Sequence, residues 1–154
     1  MQKNLFGMRR GQAGFTLIEI LLVMALLAAL ATIVLIAINP AQKFKQQRDT
    51  QRTTDIASIA GAVQQYYVDH QGQLPAPIDE NVRTIKNGSG AGIADLCAIL
   101  SPSYLVVLPK DPSGTYIDCT TYDTKYTIKK ESSTSDRVVV SATGEITNPI
   151  TVTR

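Results

Sequence analysis

The sequence predicts an α+β chain: a long N-terminal helix, apolar in its first half and amphipathic in its second, packed against a small antiparallel β-sheet. Three observations carry that expectation. Phe15 to Ile38 is a run of 24 residues whose only polar members are Thr16, Glu19 and Thr32. Beyond Pro40, Ile56, Ile59, Ala60, Val63 and Tyr67 recur at helical spacing. From Tyr116 onward, short alternating segments separated by turn residues read as strands.

Residues 1–14 are polar and basic, with Lys3, Arg9 and Arg10 and no acid before Glu19. They read as a targeting leader that is cleaved and takes no part in the fold. Placing these bases ahead of the apolar run keeps that end in the cytoplasm. Without them the chain holds 12 Lys and Arg against 13 Asp and Glu, a balance that disfavours nucleic acid as a partner.

Residues 15–40 form the spanning segment. As a helix, the apolar run is roughly 36 Å long, enough to cross a hydrocarbon core of about 30 Å with some tilt. Its first covering is therefore membrane lipid. A carboxylate inside hydrocarbon costs on the order of 2.5–3.5 kcal/mol, so Glu19 calls for a partner unless it lies solvated at headgroup level.

Asn39-Pro40 then interrupts the run. Proline removes an amide donor and crowds the preceding turn, so the helix either ends here or kinks at Pro40 and continues. Residues 41–71 read as the amphipathic continuation, with Asp55, Ser58, Gln64 and Gln65 assigned to the face opposite the apolar stripe. One helix from Phe15 to His70 would be roughly 84 Å long, more than a compact domain of this size can bury. Lipid, or copies of the same helix, must cover the first half. His70, the sole histidine, stands where a helix C-terminus favours a cation.

Residues 72–154 form the loop-rich globular region with a C-terminal antiparallel sheet. Gly72 and Leu74-Pro75-Ala76-Pro77 stop the helix. Residues 87–92 are a glycine-rich turn, Ile93 to Leu100 a short helix, and Pro109 to Gly114 a second turn. Strands follow over Tyr116 to Cys119, Lys125 to Lys130, Arg137 to Ala142, and Ile146 to Val152, with a hairpin tip at Ser132 to Ser135. The six tyrosines suit core or strand positions rather than a stacking platform for nucleic acid.

Cys97 and Cys119 enclose 21 residues and, in an exported domain, read as a disulfide; two free thiols are the alternative. With one histidine and no Cys-x-x-Cys pair, metal binding is disfavoured and no cofactor is expected. No Ser-His-Asp set, nucleotide loop or paired catalytic carboxylates stands out, so the chain reads as a substrate of processing enzymes rather than an enzyme.

An ordinary secretory signal has 7–15 apolar residues followed by a small-x-small cleavage site. Ala29-Leu30-Ala31 imitates such a site, but the run is too long and its glycine stands in front. Gly14-Phe15-Thr16-Leu17-Ile18-Glu19, followed by the apolar run, resembles the N-terminal signature of type IV pilins and of the pseudopilins of type II secretion and competence systems. The resemblance covers roughly residues 9–38 and continues only as architecture, which it makes pilin-like.

The resemblance implies that a prepilin peptidase cuts after Gly14, that the new N-terminal Phe15 is N-methylated, and that Glu19 takes part in subunit assembly. A free α-amine at Phe15, supplied by a neighbouring subunit, is then the candidate partner for the carboxylate. The implied partners are copies of the chain in a filament, minor pilins, the peptidase, an assembly platform protein and a motor ATPase. The implied location is the cytoplasmic membrane, crossed once with the C-terminal domain extracytoplasmic, and later a pilus or pseudopilus at the cell surface.

A structural pilin-like subunit is the leading reading. Its alternatives are a pseudopilin, a membrane-anchored extracellular binding module that never polymerises, and a soluble protein released after Ala31. Leu108 to Gly114 also resembles the loop before the sheet in major pseudopilins, a subfamily that often binds calcium. Asp111 and Asp118 offer oxygens there, but no acidic, glycine-rich C-terminal pattern completes such a site, and a proline-stiffened turn explains the segment as well.

Overall fold

The computed structural model describes residues 14–154; the leader, Gly14 excepted, lies outside them. Helix α1 spans Leu17–Ile38 and α2 spans Pro40–Asp69. The break between them falls at Asn39, whose φ of 45° and ψ of 74° are left-handed. Asparagine tolerates that conformation better than most side chains. Pro40 opens α2 at the first helical position, where its missing N–H costs nothing and its fixed φ already suits a helix.

The chain divides into two units, Met1–Pro40 and Ala41–Arg154. In the first, every residue from Phe15 to Ile38 is exposed. The 22 residues of α1 make a helix about 33 Å long, enough to cross a membrane. Its one internal hydroxyl is satisfied locally: Thr32 Oγ1 donates to the Ala28 carbonyl at 2.9 Å.

The second unit holds the core. Its strands are β1 (Arg83–Lys86), β2 (Ile93–Ala94), β3 (Thr115–Asp118), β4 (Thr121–Ser132), β5 (Ser135–Ala142) and β6 (Ile150–Thr153), with a one-turn helix α3 at Cys97–Leu100. They pair in the order β2-β1-β4-β5-β6, with β3 beside the start of β4. Side chains alternate as a half-buried sheet requires: Tyr122, Thr124, Tyr126 and Ile128 of β4 point inward, as do Val138, Val140 and Ala142 of β5. All but Thr124 share one cluster with Ile56, Ile59, Ala60 and Val63 of α2 and with Ile85, Leu96, Leu100 and Leu108.

The α+β architecture agrees with the sequence reading, and the differences have local causes. The sheet is mixed, because β1 and β2 run parallel, Thr84 opposite Ile93 and Ile85 opposite Ala94. Ile93-Ala94 therefore belongs to a strand, and the expected helix shrinks to α3. Strand β1 carries almost no sequence signal, because Arg-Thr-Ile-Lys holds a single apolar residue; Ile85 is fully buried and supplies its anchor. The last strand starts at Ile150 rather than Ile146, because Glu145, Ile146 and Thr147 give their amides to a helix side chain instead of a neighbouring strand. Asp55 is buried on the core face of α2, not on the solvent face, because Tyr126 of β4 meets it there.

Candidate processing and assembly site

The first unit presents its chemistry at the start of α1. Thr16 is the N-cap, in extended conformation, and its Oγ1 accepts from the Glu19 amide at 3.2 Å. Thr16 and Glu19 thus stand at capping-box spacing, with the carboxylate in the first helical turn, where the helix dipole favours negative charge. Phe15 and Gly14 precede the cap and are exposed. Among the described residues, a Cβ added at Gly14 would meet nothing within 4 Å, so packing does not demand a glycine there.

The second unit fixes its loops to α2 through a buried ionic cluster that the sequence reading did not anticipate. Arg52 stands at its centre. Its Nε donates to Asp111 Oδ2 at 2.5 Å, and its Nη1 donates to Asp49 Oδ1 at 2.8 Å and to Glu145 Oε1 at 3.1 Å. Arg48 clamps Glu145 from the other side, Nε to Oε1 and Nη2 to Oε2, both at 2.6 Å. Asp49 in turn accepts amides from the 145–147 loop, Glu145 at 2.9 Å and Ile146 at 2.8 Å.

The electrostatics follow from these bonds. Burial opposes the Asp49 charge, but the Glu145 and Ile146 amides and Arg52 outweigh it and hold the carboxyl at about 2. The Arg48 hydrogen bond, aided by Arg52, likewise holds Glu145 at about 2. Hydrogen bonding to Asp111 raises Arg52 despite burial. Asp55 moves the other way: burial raises it, although Tyr126 and Gln51 hydrogen-bond to its carboxylate.

These roles also account for the two candidate calcium ligands. Asp111 Oδ2 is taken by Arg52, while its Oδ1 accepts from the Ser113 amide and hydroxyl at 2.8 and 2.6 Å. Asp118 Oδ1 accepts from Thr120 and Thr121 in the turn into β4. No group of three or more His, Cys, Asp or Glu side chains among the described residues is arranged to hold a metal ion. Gly114 permits the 111–114 turn to close, because a Cβ there would sit 2.7 Å from the Asp123 carbonyl and 3.0 Å from that of Thr124.

Cys97 at the start of α3 and Cys119 after β3 are joined as a disulfide, with Cα atoms 5.2 Å apart. His70 follows the last residue of α2, where its ring stacks on Tyr66 at 3.7 Å and its Nδ1 meets the Tyr66 carbonyl at 2.9 Å. The structure thus brings Thr16 and Glu19 together at one helix end. It places Cys97 and Cys119 elsewhere, in the second unit.

A sequence signal for the ionic cluster does exist. Asp49, Arg52 and Asp55 stand three apart and continue the stripe of Ile56, Ile59 and Val63. Charges in register with an apolar stripe are buried only when paired.

No curated protein and no solved structure matches the chain. Residues 9–35 match the family described as the prokaryotic N-terminal methylation motif. The chain therefore carries the N-terminal signature of type IV pilins and pseudopilins, the substrates of prepilin peptidase.

Proposed function

We propose that this chain is a structural subunit of a type IV pilus or related filament, made as a precursor, cut after Gly14, methylated on Phe15 and polymerised through α1. The observation that carries this reading is a fully exposed apolar helix, α1, opening at the Thr16 cap inside the matched motif, with Glu19 as its only charge. Before assembly, lipid covers that helix in the cytoplasmic membrane, with the second unit extracytoplasmic. Within the filament, copies of the same helix replace the lipid. Minor pilins, a platform protein and a motor ATPase serve the assembly.

The cut changes the charge at the helix end. It creates an α-amine on Phe15, next to the Thr16 cap and the positive end of the α1 dipole, where a cation is unfavourable. The Glu19 carboxylate answers that charge, in the same chain or from a neighbour, and both groups leave hydrocarbon neutralised as a pair. Pairing across subunits also sets the axial register of two apolar helices that otherwise slide freely. Pro40 and Asn39 mark where the mature helix yields when subunits pack.

Glu19→Ala tests the reading. We expect the variant to be processed and membrane-inserted, with sheared filament yield reduced at least tenfold. Filament yield equal to that of the parent chain would overturn the pairing. We favour a pilus over a pseudopilus, because the likeness to major pseudopilins is confined to the Leu108 to Gly114 loop.

A further inference from the structure

We propose that Lys43, Phe44 and Lys45, with the groove beside Phe44, form a docking surface for anionic phospholipid headgroups that holds the unassembled subunit at the membrane surface. The inference rests on the membrane reading above and adds to it a second, charge-dependent attachment outside the span. Residues 41–47 are all exposed, and Phe44 is 61% exposed although it is a large apolar side chain. Among the described residues neither Lys43 nor Lys45 is in an ion pair. No acid lies between Glu19 and Asp49, and the Asp49 charge is met by Arg52 and loop amides.

Position supplies the next step. Lys43 is five residues beyond the end of α1. Even a fully extended tether keeps it within about 17 Å of that end. The headgroup layer is roughly 5–8 Å thick on each side, and a lysine stem can snorkel several ångströms toward it. A phenylalanine flanked by lysines within reach of the headgroups is a side-chain set that interfacial helices use. Removal of the leader sharpens the asymmetry, because Lys3, Arg9 and Arg10 leave while Lys43 and Lys45 stay.

The groove adds shape to charge. It encloses about 380 Å³ between Phe44 and Arg48 of α2 and Lys110 and Pro112 of the 109–114 turn. Asp111 also lines it, but its carboxylate is taken up by Arg52 and Ser113. A phosphate held there meets Lys110, whose ammonium donates one of its three hydrogens to the Gly114 carbonyl at 3.0 Å and keeps two for the ligand, while Phe44 and Pro112 face the glycerol and upper acyl carbons. Release of this contact is then one of the steps that free a subunit for assembly.

Because the sequence contains no tryptophan, Phe44→Trp installs a sole tryptophan, excited selectively at the red edge of its band where the tyrosines do not absorb, and Met24→Trp in a separate chain reports on the span. The mature full-length chain would be reconstituted into phosphatidylcholine bilayers with and without phosphatidylglycerol, using lipids brominated near the headgroup or deep in the acyl chain. We expect the Phe44→Trp reporter to be blue-shifted and quenched by the shallow bromines in phosphatidylglycerol bilayers. Adding Lys43→Gln and Lys45→Gln should lower the docked population by roughly fivefold per lysine, and molar salt should act likewise. Equal quenching in both lipids, unaffected by the lysine changes, would overturn the proposal while deep quenching of the Met24→Trp reporter leaves the span standing. Absence of that deep quenching would instead refute the membrane reading, and the docking proposal with it.

Discussion

At the scale of single residues, Gly14 and Glu19 differ in what the fold asks of them. Glu19 sits in the first turn of α1, where its amide is held by Thr16 Oγ1, so its position is structural even before any partner arrives. Gly14 has no packing reason to be glycine among the described residues. The requirement we assign to it is recognition by the peptidase. Gly14→Val should therefore leave the domain folded and the span inserted while precursor of full mass accumulates, which immunoblotting of the membrane fraction reads directly. Complete processing of that variant would remove the role given to Gly14. The Thr-x-x-Glu spacing is present in the sequence, but inside an apolar run its capping role is masked by the membrane cost of Glu19. A carboxylate three residues after a threonine is a capping signal first.

The amphipathic helix α2 shows where pattern reading succeeds and where it fails. Ile56, Ile59, Ala60 and Val63 were legible as a stripe because apolar side chains at that spacing can only share one face. Arg52 and Asp55 lie in the same stripe, yet a charge normally marks solvent. Their partners, Asp111 and Tyr126, are 59 and 71 residues away in sequence, beyond the reach of any local pattern. Arg52→Ala leaves Asp49 and Asp111 buried without their cation, and we expect a loss of about 3–5 kcal/mol, measured by thermal or denaturant unfolding of the full chain in detergent. Tyr126→Phe should cost about 1–3 kcal/mol, since Asp55 then keeps only Gln51, at 3.3 Å.

The same cluster dictates an acid limb. Asp49 and Glu145 are held at about 2 in the folded state, and Asp111 is also lowered. Groups whose folded values lie below their unfolded ones stabilise above the unfolded range, near pH 4, and lose that contribution as pH falls toward 2. Asp55 has the opposite sign: its raised value favours the folded state most at low pH and less as pH rises, so it offsets part of the limb. The melting temperature should be nearly flat from pH 7 to about 5 and fall between about pH 4 and 2. In Arg52→Ala that fall should be shallower; an unchanged acid limb would contradict the cluster's role.

For the whole molecule, the division between an exposed apolar helix and a cored α+β unit was legible, because a 24-residue apolar run and a later apolar stripe obey different coverage rules. Sheet topology was not. The parallel β1–β2 pair rests on Ile85 and Ala94, two buried residues in segments otherwise polar or glycine-rich, and it gives no periodic signal. The disulfide staples this region, tying α3 to the end of β3. Cys97→Ser with Cys119→Ser should lower unfolding stability by about 3 kcal/mol, through the entropy of a loop of this length, with little effect on membrane insertion.

Assembly through α1 begins with the cut that converts a leader-bearing precursor into a subunit whose first residue is Phe15. Intact-mass and N-terminal fragmentation of the chain purified from its own cell's membranes or filaments tests that most directly. We expect a mature N-terminus at Phe15 carrying one added methyl group. A chain beginning at Met1 would establish a plain anchor, one beginning at Thr32 a released soluble protein, and either would contradict it.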